Sequence, residues 1–120
     1  MIRYTLIATL CLLLCSCKHD HKPASPELQK AYAIQQEALK INESIDKLGV
    51  AIDDKTAKKR NTWVESMIEI PGMDHDHSNC SHDHKPTTIS LSDTEMIAVQ
   101  QAWKDSINVI WGNLASKINE

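Results

Sequence analysis

Apolar residues recur along this chain in one continuous run and three periodic ones. The continuous run lies between Tyr4 and Leu14. The first periodic run places Ala31, Ile34, Ala38, Ile41, Ile45, Leu48 and Ile52 at alternating spacings of three and four. That spacing is a seam along one helix face, and it leaves Gln35, Gln36, Lys40, Asn42, Glu43 and Lys47 on the other. A shorter stripe follows at Ala57, Val64, Met67 and Ile68, with Trp63 beside it. The last seam is Met96, Val99, Trp103, Ile107, Ile110, Leu114 and Ile118. Between Gly72 and Ser90 no apolar period exists.

Start and stop signals bound these runs. Ser25 can cap the first helix, with Pro26 at the favoured first helical position and Glu27 near the positive end of the dipole. Gly49 either ends this helix or weakens it. Asp53-Asp54 can cap a second helix running to about Ile68, and Ile70-Pro71-Gly72 cannot continue it. Ser92-Asp93-Thr94-Glu95 is a capping box for the third helix, and Leu91 can staple onto Met96. The pattern therefore predicts an all-α fold. Two arrangements satisfy it: a small antiparallel three-helix bundle, or a hairpin of helices 1 and 3 buttressed by helix 2. In both, residues 72–90 form a long His/Asp-rich loop between helices 2 and 3.

The run from Tyr4 to Leu14 is too short to span a bilayer, and it follows the single early charge at Arg3, as in a signal peptide. It ends in Leu14-Cys15-Ser16-Cys17, which resembles the lipobox of bacterial lipoproteins, with a small residue directly before the cysteine. Cys15 does not fit, because Leu14 would then occupy the small-residue site. The resemblance implies cleavage after Ser16 and acylation of Cys17, with several acyl chains holding the protein on a bilayer. Residues 1–16 are then the signal peptide, 17–24 a lipidated tether and 25–120 the helical domain. Lys18 follows the cysteine where an inner-membrane retention signal would place Asp, so the resemblance points to the cell envelope and its outer membrane.

Removing residues 1–16 leaves 104 of the 120 residues, enough for one small domain. Twelve basic residues then stand against 16 acidic ones, a net charge of −4 with neutral histidines, which argues against nucleic acid as a partner. Cys11 and Cys15 leave with the signal peptide and Cys17 is taken by lipid. Cys80 is left as a single thiol in an oxidising compartment, where a lone thiol is normally paired or used as a ligand.

All six histidines fall in two short tracts. The sequence Cys17-Lys18-His19-Asp20-His21-Lys22-Pro23 is repeated as Cys80-Ser81-His82-Asp83-His84-Lys85-Pro86 with one difference, Lys18 against Ser81. In extended chain a His-x-His pair presents both imidazoles on one side. Two such pairs, His75 with His77 and His82 with His84, flank Ser78-Asn79-Cys80-Ser81. If these four residues turn, four imidazoles converge with the Cys80 thiol at the tip. Such a donor set satisfies tetrahedral zinc and also suits copper. Asp76 and Asp83 can orient imidazoles through their second nitrogens, and His19, His21 and Met73 are additional candidate ligands. The spacing matches no closed structural-zinc signature, and a polar tract of this kind also serves as a solvated spacer.

The layout resembles a group of small helical lipoproteins of Bacteroidota with a His/Asp-rich tract, some labelled after viral A-type inclusion proteins for their coiled-coil character. The residues carrying the resemblance are the lipobox at Cys17, Tyr32-Ala33-Ile34-Gln35-Gln36-Glu37-Ala38, Trp63-Val64-Glu65-Ser66-Met67, and the tract from Pro71 to Pro86. It implies fold and location and carries no activity. Two functions follow from the residues. One is a membrane-anchored buffer, chaperone or sensor of zinc or copper ions. The other is a structural lipoprotein whose seams engage a helical partner or a second copy, with the tract as spacer. No enzyme is expected, since Ser, His and Asp meet only in the tract and no oxyanion element, nucleotide loop or carboxylate pair accompanies them.

Overall fold

A computed structural model describes residues 24–73 and 88–118. The lipobox and tether up to Pro23, and the tract from Asp74 to Thr87, lie outside the described residues. Within them the chain is helical: α1 spans Pro26–Lys47, α2 Asp54–Glu65 and α3 Asp93–Ser116.

Each helix begins where its side chains can satisfy the orphan amides of a first turn. The Ser25 hydroxyl accepts from the Leu28 amide at 3.1 Å, with Pro26 next in the chain. Asp53 accepts from the Thr56 amide at 2.8 Å. At α3 both halves of the capping box form: the Glu95 amide donates to the Ser92 hydroxyl, and the Glu95 carboxylate accepts from the Ser92 amide at 2.8 Å. Leu91 packs with Met96 in one apolar cluster, as a staple requires.

Two helices stop earlier than their apolar pattern. α1 ends at Lys47, because Gly49 turns the backbone to φ +66°, a conformation that Gly adopts without a Cβ clash. Leu48 and Ile52 still pack on the core from outside the helix. α2 ends at Glu65 and not near Ile68; the Ser66 amide and hydroxyl fold back onto the Trp63 carbonyl, and the chain leaves the helix.

The core is the meeting of α1 with α3. Ala38 and Ile45 of α1 join Trp103, Ile107, Ile110 and Leu114 of α3, with Trp63 and Met67 closing the group. A smaller cluster of Ala31, Ile70 and Met96 sits beside the helix starts. α1 and α3 run in the same direction: Ser25 meets Asp93, Gln35 meets Gln100 and Glu37 meets Lys104, in ascending order along both. A hairpin of these two helices would reverse that order, so the buttressed hairpin is not the arrangement of this chain. Contacts of α2 descend as those of α3 ascend, through Asp53 with Lys117, Trp63 with Trp103, and Ile68 with Gln100.

α2 is short and polar, and it is held by three side chains. The Trp63 and Trp103 rings stack at 3.9 Å with 10° between planes. Each indole N–H donates to the other residue's carbonyl, at 2.7 and 2.9 Å. The Trp103 indole thus joins the Ser66 amide and hydroxyl on the Trp63 carbonyl in the last turn of α2. Arg60 reaches α1, where its guanidinium takes the Asp46 carboxylate in two bonds of 2.6 and 2.8 Å and also binds Asn42. That ion pair holds the Asp46 carboxyl below its ordinary value.

Ile118, the last residue of the third seam, lies past the end of α3 and is 53% exposed among the described residues. Val99 is only partly buried.

Candidate functional site

The sequence-derived ligands His19, His21, His75, His77, Cys80, His82 and His84, and the lipidation site Cys17, lie outside the described residues. Among the described residues no group of three or more His, Cys, Asp or Glu side chains could hold a metal ion. Met73 is the one candidate ligand within them. It is half-buried against the Ala31, Ile70 and Met96 cluster, and its amide donates to the Ile70 carbonyl at 3.2 Å.

The fold determines where the two tracts are attached. The internal tract leaves the described chain after Met73 and returns at Thr88. Ile70, fully buried, and Met73 anchor its entry, while Leu91 anchors its exit on the same cluster. The Thr88 hydroxyl donates to the Glu69 carboxylate at 3.2 Å and draws the two ends together. The N-terminal tract joins α1 through Ala24 and Ser25. The Ser25 hydroxyl donates to the Asp93 carboxylate at 2.5 Å, and Leu28 and Tyr32 pack on the same Ala31, Ile70 and Met96 cluster. Both tracts are therefore fastened to one end of the helical unit, where α1 and α3 begin.

Behind this end lies a buried polar knot that the seam pattern does not reveal. Gln35 falls on the polar side of the first seam, yet it is fully buried, as is Gln100. Both amides donate to the Ile68 carbonyl, at 3.0 and 3.1 Å, and Gln35 also donates to Gln100 Oε1 at 3.4 Å. The cause is the early end of α2: once the chain leaves the helix, the Ile68 carbonyl must find donors elsewhere. Gln35 Oε1 has no hydrogen-bond partner among the described residues. A glutamine beside a seam gives no signal of this in sequence, because its partner is a backbone group more than thirty residues away.

Exposed charges complete the surface at this end. The Glu95 carboxyl is held below its ordinary value, first by the Ser92 hydroxyl and then by the Ser92 amide. Further along α1, Lys104 does the same to Glu37. Among the described residues no helix is long and apolar enough to cross a membrane. Comparison of the chain with protein-family models, with curated proteins and with solved structures finds no match.

Proposed function

We propose that this protein is a lipid-anchored envelope protein that binds a transition-metal ion, zinc or copper, through its histidine tracts. Cys17 carries the acyl anchor. His75, His77, His82 and His84 supply imidazoles, Cys80 offers a thiolate, and His19 and His21 of the repeated tract join them. The scaffold is read as an up-down-up bundle of three helices, whose role is to present the tracts.

The observation that supports this reading is the attachment of both tracts to the same end of the helices. Loop closure costs little more for a long segment than for a short one, and here Ile70, Met73, Leu91 and the Thr88–Glu69 hydrogen bond meet that cost. A free spacer has no need of ends pinned to a core. The same end bears Ser25, a few residues from Cys17, so the donors stand near the membrane on this reading.

Calorimetric titration of the acylated chain in detergent tests it. Zinc or a copper ion should bind with fixed stoichiometry at neutral pH and leave as the imidazoles protonate, near or below about 6.5. His77→Ala should weaken binding cooperatively, because a tetrahedral ion needs its donors together. Changing His75, His77, His82 and His84 to Ala should abolish it without loss of helicity. A shallow isotherm that falls in proportion to the histidines removed would leave the structural reading, with the tract as spacer. Intact mass of the extracted protein reads the acyl chains on Cys17.

A further inference from the structure

A cavity of about 360 Å³ opens between α2 and α3, toward the start of α2 and the end of α3 and away from the end that carries the histidine tracts. Its apolar lining is the buried Trp63 and Ile110 together with Val109, which is 63% exposed. Its polar lining is Thr56 and Lys59 of α2 and Ser106 and Asn113 of α3. A smaller cavity of about 220 Å³ shares Ser106 with it and continues along α3 past Trp103 to Val99. Neither has a part in the metal reading.

The donors around the larger cavity divide into those already engaged and those left open. The Thr56 hydroxyl donates to Asp53 at 3.2 Å, the Ser106 hydroxyl to the Ala102 carbonyl at 3.0 Å, and the Trp63 indole to the Trp103 carbonyl at 2.7 Å. Two donors remain, the Lys59 ammonium on α2 and the Asn113 side-chain amide on α3. Among the described residues Lys59 forms no ion pair and the Asn113 amide no hydrogen bond. Lys59 is also the one charged residue lining either cavity, so no acid offsets it there. Such a site repels a cation and attracts an anion, and one lysine matches one negative charge.

We infer that this cavity binds a small organic monocarboxylate with a compact apolar body. A carboxylate is planar and presents two acceptor oxygens, so one can take the Lys59 ammonium of α2 and the other the Asn113 amide of α3. The apolar body then lies against Trp63 and Ile110 and covers Val109, which removes an exposed apolar side chain from water. The volume is near the lower end of the range for ligand pockets, about 300–1,000 Å³, which limits the body to a single ring or a short chain. A polyanion would leave charge unmatched. The neutral amide of the same body would keep the burial and lose the ion pair, and an amine would meet Lys59 as a like charge. Affinity therefore ranks acid above amide above amine.

Titration of phenylpropionate into the acylated full chain in non-ionic detergent, followed by tryptophan fluorescence and calorimetry, tests the inference. A chelator is present throughout, so that no ion on the histidine tracts can hold the carboxylate, and the outcome is independent of the metal reading. Saturable binding of one molecule per chain is expected, with a dissociation constant on the order of a millimolar or tighter. Phenylpropylamine should not saturate. Lys59→Met should raise the dissociation constant about tenfold or more, Lys59→Arg should restore most of the affinity, and Asn113→Ala should weaken binding by a smaller factor. Lys59 and Asn113 are both exposed, so far-UV circular dichroism should stay as in the wild type. No saturation by the acid overturns the inference, as does an amine that binds as tightly. Binding that Lys59→Met leaves unchanged puts the carboxylate elsewhere and overturns it too, and an Asn113→Ala variant that binds like the wild type overturns the grip from both helices.

Discussion

Gln35 and Gln100 show how one carbonyl can dictate two buried side chains. The Ile68 carbonyl receives both amides, so losing either leaves it one donor. In Gln35→Leu the orphaned Gln35 Oε1 disappears while Gln100 Oε1 loses its partner, one unsatisfied acceptor exchanged for another. Each single change to Leu should therefore cost about 1 kcal/mol or less. The double variant leaves the carbonyl bare in an apolar surround, a penalty of about 1–3 kcal/mol. Urea denaturation of the cycle should show the double loss exceeding the sum of the singles, and strict additivity would mean that the two amides do not share an acceptor. None of this was legible in the sequence. Gln35 sits beside a seam among residues that do face water, and only the fold reveals that the chain after α2 crosses above it.

At the scale of elements, the signals that depend on local chemistry were legible and those that depend on distant contacts were not. The capping box from Ser92 to Glu95 and the cap at Ser25 are read from side chains within one turn of their targets, and both form. Gly49 ends α1, one of the two outcomes its position allows, whereas the end of α2 is misjudged by apolar period because Met67 keeps its place on the core after the backbone has left the helix. A seam also has no arrow: nothing in spacings of three and four tells whether α1 and α3 run together or opposed. The capping box makes a prediction of its own. Folding holds the Glu95 carboxyl below its ordinary value through Ser92, so the folded state favours the ionised form. The stability this supplies is present above the unfolded value of about 4.3 and is lost as pH falls through the lower folded value. Glu95→Gln keeps the reach of the box without the titration. Urea midpoints at pH 7 and pH 3 should differ less in this variant than in the wild type. An equal difference would place the acid sensitivity with Asp46, Asp53 or Glu37, whose carboxyls are also held low.

For the whole molecule, the arrangement of ends matters more than any one contact. Parallel α1 and α3 bring their starts together, and Ser25, Asp93, Ile70 and Leu91 set at that end the described residues that flank both histidine tracts. The sequence displayed the tracts and their repetition, but their common attachment follows from helix direction, which it does not encode in any local pattern. If the tracts bind metal as proposed, binding must act on the fold, because an ion held by a segment whose two ends are pinned to the core is released when the core opens. Linkage then sets the size of the effect: at a free ion concentration one hundred times the dissociation constant, folding gains about 2.7 kcal/mol if the unfolded chain does not bind. Zinc should accordingly raise the thermal midpoint of the wild type. Ile70→Ala removes a fully buried anchor at the entry of the tract and should lower the midpoint without metal, by a loss of about 2–5 kcal/mol. It should also shrink the zinc-dependent rise, since the donors are then less well held. A rise of equal size in both proteins would show that the tract binds its ion independently of the helices, and a rise in neither, alongside tight binding by calorimetry, would show that the unfolded chain holds the ion as well as the folded one does.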